Sequence, residues 1–295
     1  EDGLMAIDRD DRTATEVPWD DEEELEASRR TIWERVPRWI TIPLFGALLV
    51  LVWQLAVLME ITSEFVLPPP REVGVELLQM LGDLFTGGYV LENLWVTMQE
   101  VFIGLLVAAI AGIGLGILIA ETSFGRQVVL PFVVGINAAP KVAFAPIFVA
   151  WLGFGIWAKV AMGAFIAFFP LLIDTAAGLA SVDADQAKLF RALRASRVEM
   201  FFKLKLPNGL PFIFAGLKTA SVLAVVGAIV GEFLGGGAGF GSLIRIAGSQ
   251  LAIARVFGFV AILSVIGYLL YAIVAWVERR VVFWRSSELI PGAGM

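Results

Sequence analysis

Glu100, Asn137, Lys141, Asp174, Lys218 and Glu232 stand in or beside long apolar stretches of a 295-residue chain. A charge at the centre of a bilayer costs about 2.5–3.5 kcal/mol or more, so such residues face a bundle interior or a cavity, where they pair or line a path for solute or protons. Lys141 follows Pro140, where a kink frees backbone carbonyls. Asn137 and Lys141 are therefore the first candidates for a translocation path, followed by Glu100, early in the second apolar stretch, and Glu232, near the end of the fifth. Lys218 lies one or two turns into the fifth stretch, within snorkelling reach of a surface, and Asp174 is near the same surface. For all six, structural pairing or an interfacial position competes with direct contact to a solute. Other chemistry is excluded by composition. The chain has no cysteine, hence no disulfide, thiol nucleophile or thiolate metal site, and no histidine, hence no Ser-His-Asp triad or HExxH zinc site. Residues 231–241 read GEFLGGGAGFG, but no GxxxxGK[ST] phosphate loop is present, so these glycines read as a tight turn and the chain has no evident nucleotide site of its own.

The elements that must position these residues follow from composition. Hydrophobic residues make up 58% of the chain and charged residues 17%, against about a quarter in a soluble domain, which points to a multi-span membrane protein. Six apolar segments, at about 40–59, 96–120, 128–152, 158–179, 211–234 and 256–277, are each near the ~20 residues needed to cross a bilayer. The third and fourth are joined by five residues, 153–157, as a tight hairpin, and Pro131, Pro140, Pro146 and Pro170 predict kinks in them. With the first 38 residues inside, sixteen lysines and arginines fall on the cytoplasmic side and four, Arg71, Lys159, Arg245 and Arg255, on the outer side, which predicts both termini in the cytoplasm. Residues 1–38 hold 13 of the 28 acids and 6 of the 22 basic residues, so the acidic balance belongs to a tail and implies no nucleic-acid partner. Within that tail, residues 19–36 read as a short surface helix leading into the first span, or as a merely solvated charged helix, with Trp33 and Trp39 placed for a membrane interface. No secretory leader is read, because the acidic tail precedes the first apolar run, and Glu1 in place of Met leaves the natural start open. Outside, Pro68-Pro69-Pro70 precedes an amphipathic pattern, Val73, Leu77, Leu78, Leu81 and Leu84, expected to lie on the outer surface.

The longest loop after the tail, residues 181–210, reads SVDADQAKLFRALRASRVEMFFKLKLPNGL. Asp183 can cap a helix in which Ala187, Leu189, Phe190 and Leu193 form a narrow apolar face, with Lys188, Arg191 and Arg194 beside it. Ser196 can start a second short helix that Pro207 ends, and Pro211 opens the fifth span.

Val182-Asp183, Arg191, Leu193, Ala195-Ser196, Leu206-Pro207 and Leu210-Pro211 resemble the permease subunits of ABC importers, as do Ala215-Gly216-Leu217-Lys218 and Glu232-Phe233-Leu234. Leu67-Pro68, Glu72-Val73, Pro140-Lys141-Val142-Ala143 and Ala145-Pro146 are similar to the same family, so the resemblance covers roughly 65–285. Within that family the chain is most similar to the nitrate, sulfonate and taurine permeases and their relatives for pyrimidine vitamin precursors and riboflavin. The resemblance implies an all-α, polytopic membrane protein with about six transmembrane helices in the ABC importer permease (MetI-like) fold. It implies that Asp183, Lys188, Leu189, Phe190, Arg191, Leu193, Arg194, Ser196 and Pro207 belong to a loop that couples to separate ATPase subunits. ATP and Mg would be held by those subunits, with no cofactor in this chain. An extracytoplasmic binding protein would deliver a small organic or anionic solute, and a second copy or a homologue would complete the pore.

Two departures stand out. The family's Glu-Ala-Ala is here Lys188-Leu189-Phe190, which removes any salt bridge of that carboxylate, and the usual turn glycine is Arg194. A left-handed residue costs a non-glycine about 1 kcal/mol or more, so the turn is expected either to take another shape or to let the first helix run longer. Two other readings compete with coupling. A basic helix held by anionic membrane lipid leaves the two Leu-Pro pairs unexplained. An ion-coupled secondary transporter would use Glu100, Asp174 and Glu232, but no inverted repeat is visible. A membrane-embedded enzyme would have to work with carboxylates alone. The organisation is thus a cytoplasmic tail (1–38), a permease domain (39–285) and a C-terminal tail (286–295), in the inner membrane.

Overall fold

The computed structural model of the chain describes residues 37–284 apart from 62 and 64. The acidic tail, its expected helix at 19–36 and the residues from 285 onward lie outside the described residues. Among the described residues every element is a helix, and the chain divides into two compact units at Ile61 and Thr62. The described element of the first unit is α1 (Arg38–Leu58), which starts directly after Pro37 and is apolar on every side, as a bilayer-crossing helix must be.

The second unit opens with α2 (Pro70–Thr86) and the long α3 (Tyr89–Glu121). A π turn at Gly125–Val129 leads to α4 (Leu130–Asn137), and a 3₁₀ turn at Lys141–Phe144 leads to α5 (Ala145–Leu152). The central helix is α6 (Ile156–Ala180), followed by two short helices, α7 (Ala184–Ala192) and α8 (Arg197–Met200). A second π turn at Phe201–Lys205 runs into α9 (Leu206–Gly235), and α10 (Phe240–Ser249) and α11 (Ile253–Val281) complete the order.

Lipid tails are as apolar as leucine, so helices in a bilayer associate by close packing of small residues rather than by hydrophobic burial. That rule places α6 between α3 and α9. A Cβ on Gly112 of α3 would stand 3.0 Å from the Phe168 carbonyl oxygen, and one on Gly227 of α9 would stand 2.6 Å from Gly163 Cα. Ala108, Ala167, Leu171, Ala220 and Ala224 fill the seam between these helices.

Five of the six predicted segments are single helices at close to the expected places. The third is broken: Gly125–Asn137 and Lys141–Leu152 meet at 89°. Pro140 interrupts the ladder, while Pro131 and Pro146 each stand just after a change of helix type inside a continuous piece, from the π turn at Gly125–Val129 and from the 3₁₀ turn at Lys141–Phe144. The broken pair nonetheless joins opposite ends of the bundle. Glu121, before it, pairs with Lys205 at the loop end. Ile156, after it, begins a 25-residue helix that runs roughly 37 Å to the same loop.

Three expectations need correction. Pro207 does not end the second loop helix and Pro211 does not open the span. The helical run is continuous from Arg197 to Gly235, with both prolines inside it. The π turn explains this: Leu206 N–H bonds to the Phe201 carbonyl, which loosens the ladder where Pro207 would crowd the fourth carbonyl back. The outer amphipathic helix forms, but protein covers only part of its apolar face: Leu78 is 70% and Leu81 37% exposed. Val73 and Met80 are buried, Met80 Sδ sits against Gly258 of α11, and Arg255 binds Glu76 at 3.0 and 3.2 Å. Finally, the glycines at 235–239 do not simply join two spans, because α10 follows them and carries a buried face of Phe240, Ile244 and Ala247.

Gly227→Ala is expected to overpack the α6–α9 seam and lower stability in detergent by about 1–3 kcal/mol. Gly163→Ala, whose nearest non-bonded neighbour would be at 3.4 Å, should lose nothing comparable. Thermal unfolding of both variants checks this, and the opposite ranking would refute close packing as the organising contact.

Candidate functional site

The loop between α6 and α9 is built from local signals. Asp183 caps α7, its Oδ1 accepting from the N–H groups of Asp185 at 2.9 Å and Gln186 at 3.1 Å. α7 ends at Ala192, and Arg194 takes a left-handed φ of 56°. The N–H of Ala195 reaches the Phe190 carbonyl and that of Arg194 the Arg191 carbonyl, both at 3.0 Å, which is the paired-bond helix stop that glycine usually serves. The expectation of a different turn or a longer helix is thereby overturned: two backbone bonds outweigh the strain on Arg194. Ser196 follows at once as the cap of α8. Its Oγ accepts from Glu199 N–H at 3.2 Å while Glu199 Oε2 accepts from Ser196 N–H at 2.9 Å.

Two capped helices are thus held at a fixed angle with their side chains open. Leu189 is 58% exposed and Leu193 71%, beside a half-buried Phe190. Lys188 pairs with Asp185 at 2.7 Å, and Arg191 Nε donates to its own helix at Ala187 O. Pro207 lies in the first turn of α9. An apolar patch ringed by basic side chains on a rigid frame can dock into a groove.

At the opposite end of α6 the structure gathers a buried polar cluster. Lys159, which basic-residue counting places in an outer connection, is 5% exposed in the first turn of α6. Its Nζ stands 3.0 Å from Glu100 Oε1 on α3 and donates to Ala238 O at 2.8 Å. Glu232 of α9 accepts from Thr97 Oγ1 at 2.6 Å and, through its other oxygen, from the N–H of Gly241. Thr97 Oγ1 takes the N–H of Phe240 at 2.9 Å, and Asn93 Oδ1 that of Gly239 at 2.7 Å. Gly239, at φ +122°, passes so close to the Glu232 carboxylate that a Cβ would overlap it. One clasp therefore ties α3, α6, α9 and the start of α10 together. Neither Glu100, at 1%, nor Glu232, at 0%, is open to solvent. Lys159 and Thr97 escaped sequence reasoning because the signal, a lone cation facing two carboxylates on other helices, exists only once the helices pack.

The break in the third segment holds Asn137 and Lys141 together. Lys141 Nζ donates to the Asn137 backbone carbonyl at 3.0 Å, at the last residue of α4, and lies 5.1 Å from the centre of the Phe169 ring. Lys218 does not simply snorkel to a surface: it binds Glu278 of α11 at 2.6 Å. Asp174 is apart from these groups, half-buried against Gly216 of α9. No group of three or more acidic side chains placed to hold a metal occurs among the described residues.

Comparison with known proteins adds to this geometry. Residues 112–283 match the family model described as binding-protein-dependent transport system inner membrane component. The formylaminopyrimidine transport permease of Halalkalibacterium halodurans is 33% identical over 245 residues, covering 83% of this chain and 96% of its own. The riboflavin transport system permease of Chloroflexus aurantiacus is 31% identical over 246 residues, covering 83% and 90%. An inward-facing methionine ABC transporter aligns with a TM-score of 0.56 at 18% identity over 65% of this chain and 96% of that one, a likeness of fold.

Lys159→Met is expected to leave two buried carboxylates without a counter-charge and to destabilise the bundle by about 3–5 kcal/mol. Adding Glu100→Leu should recover most of that loss. Unfolding midpoints in detergent decide it, and a Lys159→Met variant as stable as the parent would show that the clasp bears no weight.

Proposed function

The chain belongs to the family of binding-protein-dependent transport system inner membrane components, and from that membership we propose that it forms the pore of an ATP-driven importer, gripped by ATPase subunits at the 181–210 loop. The observation that carries the coupling role is the exposed Leu189–Leu193 patch on a doubly capped, fixed-angle helix pair. A patch of this kind needs a cover, and the basic residues beside it suit a groove with an acidic rim. Asp183 and Ser196 cap the two helices, and the left-handed Arg194 makes the turn between them. Phe190, Leu189 and Leu193 supply the anchor, Lys188, Arg191 and Arg194 its rim, and Pro207 the passage into α9. ATP and Mg would act in the partner subunit.

In this reading residues 39–285 form the membrane domain, both termini are cytoplasmic, and the solute enters from the clasp end, where an extracytoplasmic binding protein would dock. A second copy or a homologue would face the pathway. Asn137 and Lys141 are the pathway residues favoured by position, because the break leaves them polar and half-buried within an apolar segment. Glu100 and Glu232 would shape its outer end by fixing the helices around it. The named cargoes of the relatives, a formylaminopyrimidine and riboflavin, support a small organic solute.

Capture of the partner ATPase in detergent tests the reading. Phe190→Ala and Leu193→Ala should each weaken docking by about 2 kcal/mol, roughly thirtyfold, if they are hot-spot anchors. Equal recovery at limiting ATPase would leave a lipid surface as the cover. Ion-driven uptake by the chain alone would favour a secondary transporter instead.

Orientation is tested separately. The chain has no cysteine, so single replacements report cleanly. Ser196→Cys should resist an impermeant thiol reagent in intact cells, whereas Gly237→Cys should react. The reverse pattern would turn the loop outward and remove the coupling role.

A further inference from the structure

Lys205 and Glu121 form a two-point ion pair, Nζ to Oε1 at 2.8 Å and to Oε2 at 3.0 Å, across 84 residues of sequence. The loop makes two other ion pairs, Lys188–Asp185 and Lys203–Glu199, and both stay within it. Among the described residues, no other ion pair or hydrogen bond joins 181–205 to the corner at 118–130. Glu121 is also the last residue of α3, where a negative charge opposes the helix dipole, so helix stability does not account for it. The pair is partly exposed, 23% and 35%, and a pair of that kind adds little to folding. What it fixes is a position.

The corner that receives it is stiff. Thr122 leaves the helix in an extended conformation, and its Oγ1 accepts Gly125 N–H at 3.0 Å while donating to Leu118 O at 2.8 Å. Arg126 Nη1 caps the Ala120 carbonyl at 2.8 Å. Gly125 is packed so tightly that a Cβ would stand 2.5 Å from Ile119 Cα. From this corner the π turn at 125–129 runs directly into α4, which ends at Asn137. The Lys205 side has the same build: a π turn at 201–205 between the loop helices and α9. Each π turn is a place where the helix ladder is loosened, and such turns recur at functional sites.

We propose that the Lys205–Glu121 pair is a strap that passes movement of the 181–205 loop to the broken third span, so that Lys205 and Glu121 are positioning residues for coupling rather than part of the docking surface. The inference rests on the coupling role proposed above. A push or pull at the loop helices arrives at Lys205, crosses to Glu121, and turns the 120–126 corner as one piece. α4 follows, and the break at 138–140 opens or closes. Without the strap the ATPase would still dock, because the docking patch lies on α7, but its stroke would not reach the break.

The test uses the full chain with its partner ATPase, ATP, Mg and vanadate. Ala138→Cys places one thiol at the break of a chain that has no other. In the parent background the rate of maleimide labelling should change severalfold when the ATPase is trapped with vanadate. Lys205→Met should capture as much ATPase as the parent yet lose that change, and Glu121→Gln should do the same from the other side. Exchanging the charges, Glu121→Lys with Lys205→Glu, should restore it, which a merely structural role would not predict. An undiminished change in either single variant would overturn the strap. So would a charge exchange that assembles but stays unresponsive, or a parent whose break does not respond while the ATPase is bound. Failure of the parent to capture ATPase at all is a different result: it would overturn the coupling role itself, and the strap with it.

Discussion

The second unit depends on how closely α6 can approach α3 and α9. In lipid no hydrophobic force drives one apolar helix onto another, so the available energy is contact between well-fitted surfaces. Glycines along α3 and α9 let backbone meet backbone, at Gly112 against Phe168 and at Gly227 against Gly163. Once the backbones are that close, the buried side chains have few alternatives. Leu171 and Ala224 are fully enclosed, and Lys159 is carried into reach of Glu100.

Each end of this three-helix core then does something different. At one end, charge is enclosed. Lys159, Glu232 and Thr97 contact the backbone of residues 238–241, and Glu100 pairs with Lys159, so that four elements are tied together. A buried network of this kind is stiff when complete and weak when one member is missing. At the other end, charge is open and the backbone is fixed instead, by a cap at Asp183, a left-handed stop at Arg194 and a capping box at Ser196. One end of the core is thus closed by side chains and the other is open, with its backbone fixed.

The least regular part of the bundle is made of two π turns, both beside the loop end, and the 89° break beyond them. These irregularities surround the paths out of the core helices and leave the core itself uninterrupted. The division is physically sensible, since a close-packed seam cannot deform gradually, whereas a loosened turn can.

Much of this was fixed by the order of residues alone. Runs of apolar residues near the thickness of a bilayer must become helices there, because no other local structure satisfies the backbone in lipid. The caps at Asp183 and Ser196 were equally legible, since each is satisfied within three residues of itself. The family of the loop followed from residues close together in sequence, as did the placing of Asn137 and Lys141 beside a proline break. What only the tertiary structure decided involves partners far apart in the chain. Lys159 counts as a surface charge until α3 and α9 flank it. Lys218 snorkels until α11 supplies Glu278. Met80, not Leu78, turns inward on α2 because α11 offers Gly258 as a seat. Arg194 kept a glycine's conformation because two backbone bonds from neighbouring residues hold it, and Pro207 stayed inside a helix because a π turn made room. Propensity describes a residue's preference in isolation, and each of these five was settled by what the fold, or the backbone ladder beside it, brought within bonding distance.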